Sequence, residues 1–265
     1  MKRFIPFIKH DPVVPVIRLQ GIIASGGRGT ALNDAGLAPL VERAFTKGKP
    51  AAVALVINSP GGSPVQSSLI GSRIRRLADE KRLKVHAFVE DVAASGGYWL
   101  ASAADEIWVD DNSIVGSIGV ISAGFGFSEF LSRYGIERRV HTAGKSKSFL
   151  DPFRPEKPED VARLKELQGQ IHESFIGHVK RRRGDRLAET ELFTGDVWVG
   201  EKACEVGLAD GIAHAVPKLK ELYGEKVRLV PYRQRRPFLS RLGASLAAEA
   251  AERLEERAHY ARFGL

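Results

Sequence analysis

The stretch that most restricts what this chain can become is Ala51-Ala52-Val53-Ala54-Leu55-Val56-Ile57, an unbroken apolar run. Alternating residues would mark a strand wet on one face, whereas a continuous run of this length fits a parallel strand covered on both sides. It stops at Asn58-Ser59-Pro60-Gly61-Gly62-Ser63-Pro64, a sequence of turn formers. Helical spacing follows, with Val65, Leu69, Ile74 and Leu77 expected to point inward. A second apolar strand, Val85 to Val89, then leads into Val92-Ala93-Ala94-Ser95-Gly96-Gly97-Tyr98-Trp99-Leu100. Strand, helix, strand, helix is the grammar of an α/β layer, so the expected class is α/β, a layered sheet with flanking helices.

The remaining chain extends that layer. Pro12 to Leu19 and Gly21 to Ala24 read as strands, and Ala35 to Lys47 as a helix with Leu37, Leu40, Val41 and Phe45 on one face. Strands are expected at Glu106 to Val109, around Ile114, at Gly119 to Ser122 and at Glu137 to Thr142, with a helix from Phe127 to Tyr134 and a loop from Ala143 to Asp151. A long amphipathic helix should run from Pro158 to Arg182, its stripe formed by Val161, Leu164, Leu167, Ile171 and Phe175. Two Gly-bounded segments, Gly195 to Gly200 and Gly207 to Gly211, frame a short helix that holds Cys204. A last strand at Lys226 to Val230 precedes an Ala/Leu-rich helix from Phe238 to Phe263. The expected organisation is a tail at 1–11, a core at 12–215 and a C-terminal strand with its amphipathic helix at 216–265.

Composition removes several classes. The single cysteine, Cys204, allows no intrachain disulfide and reads as a packing residue. The seven histidines are scattered and none has metal-ligand spacing, so neither a metal nor a cofactor is expected. The start, Met1 to Pro12, carries the charges of a signal sequence, but Pro6 and Lys9 cut its apolar part short. No run approaches the roughly 20 apolar residues of a spanning helix, and the expected location is cytoplasmic. The formal net charge of +8 gathers at Lys180-Arg181-Arg182-Arg183 and from Arg228 to Arg241. Such runs are usually solvated faces; they also suit a peripheral contact with anionic membrane at its inner face, and no motif points to a specific nucleic acid.

The chemistry concentrates at two Gly-rich strand ends. Pro60-Gly61-Gly62 and Ala94-Ser95-Gly96 follow adjacent βα units, so both belong at one carboxyl edge, where α/β proteins hold ligands. A developing oxyanion needs two N–H donors about 3 Å away, and side chains there would obstruct it. Each segment is also, on its own, an ordinary tight turn. Phosphate-loop and dinucleotide patterns are absent, and the G-x-S-x-G elbow is not matched because residue 93 is Ala. A nucleophilic serine needs a base. His141, in Arg139-Val140-His141-Thr142, is one candidate, and Lys145 and Lys147, in Gly144-Lys145-Ser146-Lys147-Ser148-Phe149-Leu150, are others, since burial makes a lysine a base by lowering its pKa.

Asn58-Ser59-Pro60-Gly61-Gly62, Ala94-Ser95-Gly96-Gly97-Tyr98, Gly116-Ser117-Ile118-Gly119-Val120, Gly144-x-x-Lys147 with Asp151-Pro152-x-Arg154, and Gly195-x-Val197-Trp198-x-Gly200 follow one another along the chain. In that order they resemble the signal peptide peptidase A family over residues 12 to 215. The resemblance implies a serine endopeptidase with a Ser/Lys dyad, on a fold akin to the Clp protease subunit and the crotonases. It implies Ser95 as nucleophile, Lys147 as general base, Ser117 as the hydroxyl that orients the lysine, and Gly62 and Gly96 as oxyanion donors. It also implies unfolded peptides as substrates, signal-peptide remnants among them, and a homo-oligomeric ring or dome. The chain departs from many relatives in carrying no N-terminal membrane anchor and only one serine and one lysine motif. Two other classes are open at this point: a crotonase-like acyl-thioester enzyme, which uses the same glycine pair without the Ser/Lys pair, and a non-catalytic scaffold that binds membrane or peptide.

Overall fold

A computed structural model describes residues 11–26, 31–144, 146–234 and 256–265. They separate into two compact units, one formed by Met1–Ile118 with Ile176–Leu265 and the other by Gly119–Phe175.

The first unit is built on a mostly parallel sheet. Its strands are β1 (Val13–Gln20), β2 (Val53–Ser59), β3 (Val85–Ala94), β4 (Glu106–Val109), β5 (Ile114–Gly116), β6 (Val197–Val199), β7 (Gly211–Ile212) and β8 (Arg228–Tyr232). The order is β6-β5-β3-β2-β1-β8, and only β5 with β6 is antiparallel. Every residue of β2 is buried, as its unbroken apolar run demands. β3 serves two ladders: His86–Phe88 pair with β4, and after the exposed Glu90-Asp91 step Val92–Ala94 pair with β5. β4 in turn carries β7. The sheet is thus forked at β3, with β4 and β7 branching from the main path.

Helices cover both faces. α1 (Asp34–Thr46) starts at Asn33, whose side chain accepts from Gly36 N–H at 2.9 Å. α2 (Pro64–Lys81) starts at the Ser63 cap with Pro64 in its first turn, where the missing N–H costs nothing. Leu37, Val41 and Phe45 of α1 and Ile70, Ile74 and Leu77 of α2 are buried, as are Ile17, Leu19, Leu55 and Ile57 of the sheet. A separate cluster, Val14, Ala52, Ala54, Val56 and Phe88, is closed by Leu219 and by half-buried Ala215 and Tyr223 of α7 (Ala215–Tyr223), a helix not read from the sequence.

Several expectations give way. Val65 and Leu69 are 64% and 46% exposed, because the stripe that faces inward on α2 runs through Ser67, Ile70, Ile74 and Leu77, about 100° round the helix from Leu69. Gly21 to Ala24 forms no strand; Ile23 instead makes isolated bridges to Leu32 and Gly62. Gly119 to Ser122 and Glu137 to Thr142 lie outside any ladder among the described residues, since strand-like composition gives no strand without an edge to pair with. The basic run at 180–183 is not simply a solvated face: Arg183 is buried, donating to both Asp210 oxygens at 2.7 and 3.1 Å and to the Gly207 carbonyl. Of the expected 238–263 helix, residues 238–255 lie outside the described residues, and 256–261 are helical. There Tyr260 donates its hydroxyl to the Asn58 carbonyl at 2.8 Å, and burial pushes that phenol up to about 12.

The second unit contains α4 (Ser128–Arg133), which buries none of its residues, and most of the long helix α5 (Pro158–Arg183). Phe125, Phe130, Tyr134, Ile121 and Ile136 are all more than half exposed. No helix among the described residues is long and apolar enough to cross a membrane.

Candidate active site

The site is assembled at the carboxyl ends of β2, β3 and β5. β3 delivers Ser95 directly into α3 (Gly96–Ser102), and the serine sits at φ 52, ψ −120, a conformation that L residues seldom adopt. Strand, strained serine, helix is the geometry of a nucleophile elbow, reached here without the flanking glycine at 93. The room comes from elsewhere. A Cβ on Gly61 would stand 2.8 Å from the Ala94 carbonyl oxygen, Gly96 N and Ser95 Cβ, and one on Gly97 would overlap the Ser59 carbonyl. The two Gly-rich segments are therefore packed backbone against backbone, at the single edge that parallel βα units imply.

Gly62 and Gly96 are brought together. A Cβ on Gly96 would lie 3.4 Å from Gly62 N and overlap the Ser67 hydroxyl. Gly96 opens α3, where N–H groups have no partner within the helix. Gly62, at φ 140, is pinned from behind: Ile23 N–H donates to the Gly61 carbonyl at 2.8 Å and Ser63 N–H to the Ile23 carbonyl at 2.7 Å. Ser59 closes the turn, donating its hydroxyl to the Gly21 carbonyl at 2.7 Å. Residues 21–24 and Ser67 thus shape the site, and the sequence offered no sign of it beyond the glycine at 21.

Ser117 joins the same locus. Ser95 N–H donates to the Gly116 carbonyl at 2.8 Å, so the Ser95 turn and the Gly116-Ser117 turn are directly bonded. Ser117 has φ 49, is buried, and donates its N–H to the Asp196 carbonyl at 2.6 Å. A Cβ on Gly116 would stand 2.7 Å from the Trp198 ring, which explains why the glycine before Ser117 and the Gly-x-Val-Trp segment occur together. Tyr98 anchors α3, donating to the Leu208 carbonyl at 2.9 Å, and burial raises its phenol well above the ordinary range.

Lys147 belongs to the second unit, where it is exposed in the turn at 146–150 and its N–H donates to the Gly144 carbonyl at 3.3 Å. The Asp151-Pro152-x-Arg154 segment closes as a turn: Phe153 N–H and the Arg138 guanidinium bond the Asp151 carboxylate, which holds its pKa below the usual value. Lys145 falls outside the described residues. His141, also in the second unit, is exposed. Among the described residues no group of three or more His, Cys, Asp or Glu side chains is placed to hold a metal ion.

A largely parallel α/β sheet whose carboxyl edge presents a strained serine between two glycine turns belongs to the serine-hydrolase class of sites. The particular family follows from comparison: residues 77–225 match Peptidase family S49, and the chain belongs to it. It is 48% identical, over its whole length, to a protein of Brucella melitensis named Na(+)/H(+) antiporter NhaA, of which it spans 39%. It is 33% identical to the chloroplastic serine protease SPPA of Arabidopsis thaliana over 62% of this chain and 25% of that protein. In fold it is similar to the 1510-N membrane-bound stomatin-specific protease, with a TM-score of 0.50 at 15% identity, covering 85% of this chain and 99% of that one.

Proposed function

We propose that the chain is a serine endopeptidase in which Ser95 attacks the scissile carbonyl, the N–H groups of Gly62 and Gly96 receive the oxyanion, Lys147 is the general base and Ser117 orients its amine. The observation that carries this reading is Ser95 itself, a non-glycine residue at positive φ, at a strand-to-helix turn that Gly61 packs against and Gly96 and Gly97 follow. Strain of that kind persists only where the surroundings fix it. The peptide carbon gains the Ser95 oxygen, the Lys147 amine takes the serine proton, and the same group gives it to the departing amine nitrogen as the peptide bond breaks. Water then repeats the sequence on the acyl-enzyme.

The substrates are unfolded peptides with small or apolar residues at the cleaved bond. Exposed Val65 and Leu69 begin just past Gly62 and offer apolar surface there. The protein works as a homo-oligomer, ring or dome. Support lies in Phe125, 82% exposed, with Phe130, Tyr134 and Ile136, a set of large apolar groups that monomers seldom leave in water. Peripheral attachment to anionic membrane is a secondary role of the remaining basic surface.

The test is Ser95→Ala with a fluorophosphonate probe. The variant loses turnover by about 10⁴-fold or more while melting as the parent does, and only the parent forms the covalent adduct at residue 95. Hydrolysis that survives in Ser95→Ala overturns the reading; an acyl-thioester activity without adduct formation favours the crotonase-like alternative.

A further inference from the structure

α3 is held from its far end. A helix terminus leaves its last carbonyls without donors, and here α5 supplies them. Arg182 donates from Nε to the Ser102 carbonyl at 3.1 Å and from Nη2 to the Ala104 carbonyl at 3.0 Å. One turn earlier on α5, His178 Nε2 lies 3.2 Å from the Trp99 carbonyl and 3.0 Å from Ser102 Oγ. Ser102 gives its own hydroxyl proton to the Trp99 carbonyl at 3.0 Å, so its oxygen is left to accept, and the imidazole proton is on Nε2. The His178 ring also lies flat on the Trp99 indole, centroids 4.5 Å apart and planes within 12°. The amide on the N-terminal side of the same residue reaches Ser95, because Trp99 N–H donates to the Ser95 carbonyl at 3.0 Å.

We infer that His178 is a positioning residue for the peptidase reaction: through Trp99 it fixes the backbone of Ser95 and Gly96, and with it the aim of the nucleophile and of one oxyanion donor. The inference rests on the proposed roles of Ser95 and Gly96. The linkage is short, running from imidazole to the Trp99 carbonyl, across the Trp99 Cα, and from the Trp99 N–H to the Ser95 carbonyl. The imidazole suits the task in its neutral form. Burial, reinforced by Arg181 and Arg182, pushes it down to about 4, so above that pH it carries one proton, directed at α3. No sequence motif marks His178, which lies on the polar-to-apolar boundary of an amphipathic helix.

Three variants separate its contacts. His178→Gln keeps an N–H donor at the Nε2 position and loses the stacked ring, His178→Phe keeps the ring and loses the donor, and His178→Ala loses both. The measurements are kcat and KM on an apolar peptide, the rate of fluorophosphonate labelling of Ser95, and Tm, with assays run well below every Tm. Misplacing reacting groups by about 1 Å costs on the order of 10²-fold, so partial loosening in His178→Ala lowers kcat and the labelling rate by about 10-fold, with KM within about 2-fold. His178→Gln recovers more of that loss than His178→Phe. The role is overturned if all three variants keep kcat within about 2-fold of the parent, or if kcat tracks Tm across the set with no recovery in His178→Gln. Should His178→Ala fail to fold, the Gln and Phe pair decides. A Ser95→Ala protein that retains turnover removes the nucleophile reading and this role together. An inactive Ser95→Ala beside a fully active His178→Ala removes this role alone.

Discussion

The unit that carries Ser95 and the unit that carries Lys147 are built on opposite terms. Around Ser95 nearly every atom is committed: all seven residues of α3 are buried, and glycines stand where a methyl group would strike backbone. Around Lys147 the chain is short of core, with α4 burying nothing and Phe125 left 82% exposed. The first is preorganised by its own fold, which is what a charge-stabilising site requires. The second leaves large apolar groups such as Phe125 and Tyr134 on its surface. Apart from the Ser95 hydroxyl itself, a packed residue around the serine in the first unit is thus expected to report on both stability and rate, and a residue in the second on rate or assembly alone.

After removal of Ser95 in the first unit, the largest expected effect lies in the second, at the lysines. Lys147→Met should lower turnover by about 10²-fold or more with an unchanged Tm, the range a general base supplies, while Lys145→Met has a mild effect. Steady-state kinetics on both variants decide it, and the opposite pattern would mean that the base has been misassigned. In the first unit, Asp210→Asn strips the buried Arg183 of its countercharge and should cost about 3–5 kcal/mol in thermal or denaturant unfolding. A loss under 1 kcal/mol would show that water compensates the guanidinium.

A smaller effect concerns pH. His178 has a folded pKa of about 4 against 6.5 when free, so between those values the unfolded chain binds the proton that the folded chain refuses. Its contribution is full above about 6.5 and is lost as pH falls toward 4. His86, also lowered by burial and flanked by Glu106 and Lys84, adds a slope of the same sign. The difference in acid-side Tm slope between the parent and His178→Gln isolates the first group, and identical slopes would place its titration elsewhere. Least of all should be the cost of Phe125→Ser with Phe130→Ser. These exposed changes should alter monomer stability by no more than about 0.5 kcal/mol while lowering the mass seen by light scattering. An unchanged mass would exclude this surface from the assembly.

What could be read in advance followed the same division. The β2 run and the two Gly-rich strand ends were legible because covered parallel strands admit few residue types and close backbone approach admits only glycine. The inward face of α2 was misread at Val65 and Leu69, since apolar residues beside a site resemble core residues when only spacing is visible. Strand composition at Glu137 to Thr142 carried no information about a partner edge. His178 and Ile23 were invisible for another reason: they act through backbone carbonyls, which every residue possesses, so their sequence neighbourhoods carry no chemical mark. For the same reason Gly62→Val is a poor probe of the oxyanion donor, because any side chain there overlaps the Ile23 carbonyl and disturbs folding as well as chemistry.

The fork in β3 bears on how this site breathes. A strand at the rim of a sheet detaches by breaking one row of bonds, and amides there exchange with solvent through small local openings. β3 lies between β2 on one side and, successively, β4 and β5 on the other. Freeing Val92 to Ala94 therefore means undoing two rows at once, in a segment whose residues are all buried. The amides leading to Ser95 are therefore expected to exchange slowly, and the strained serine follows a segment with few local openings through which to relax.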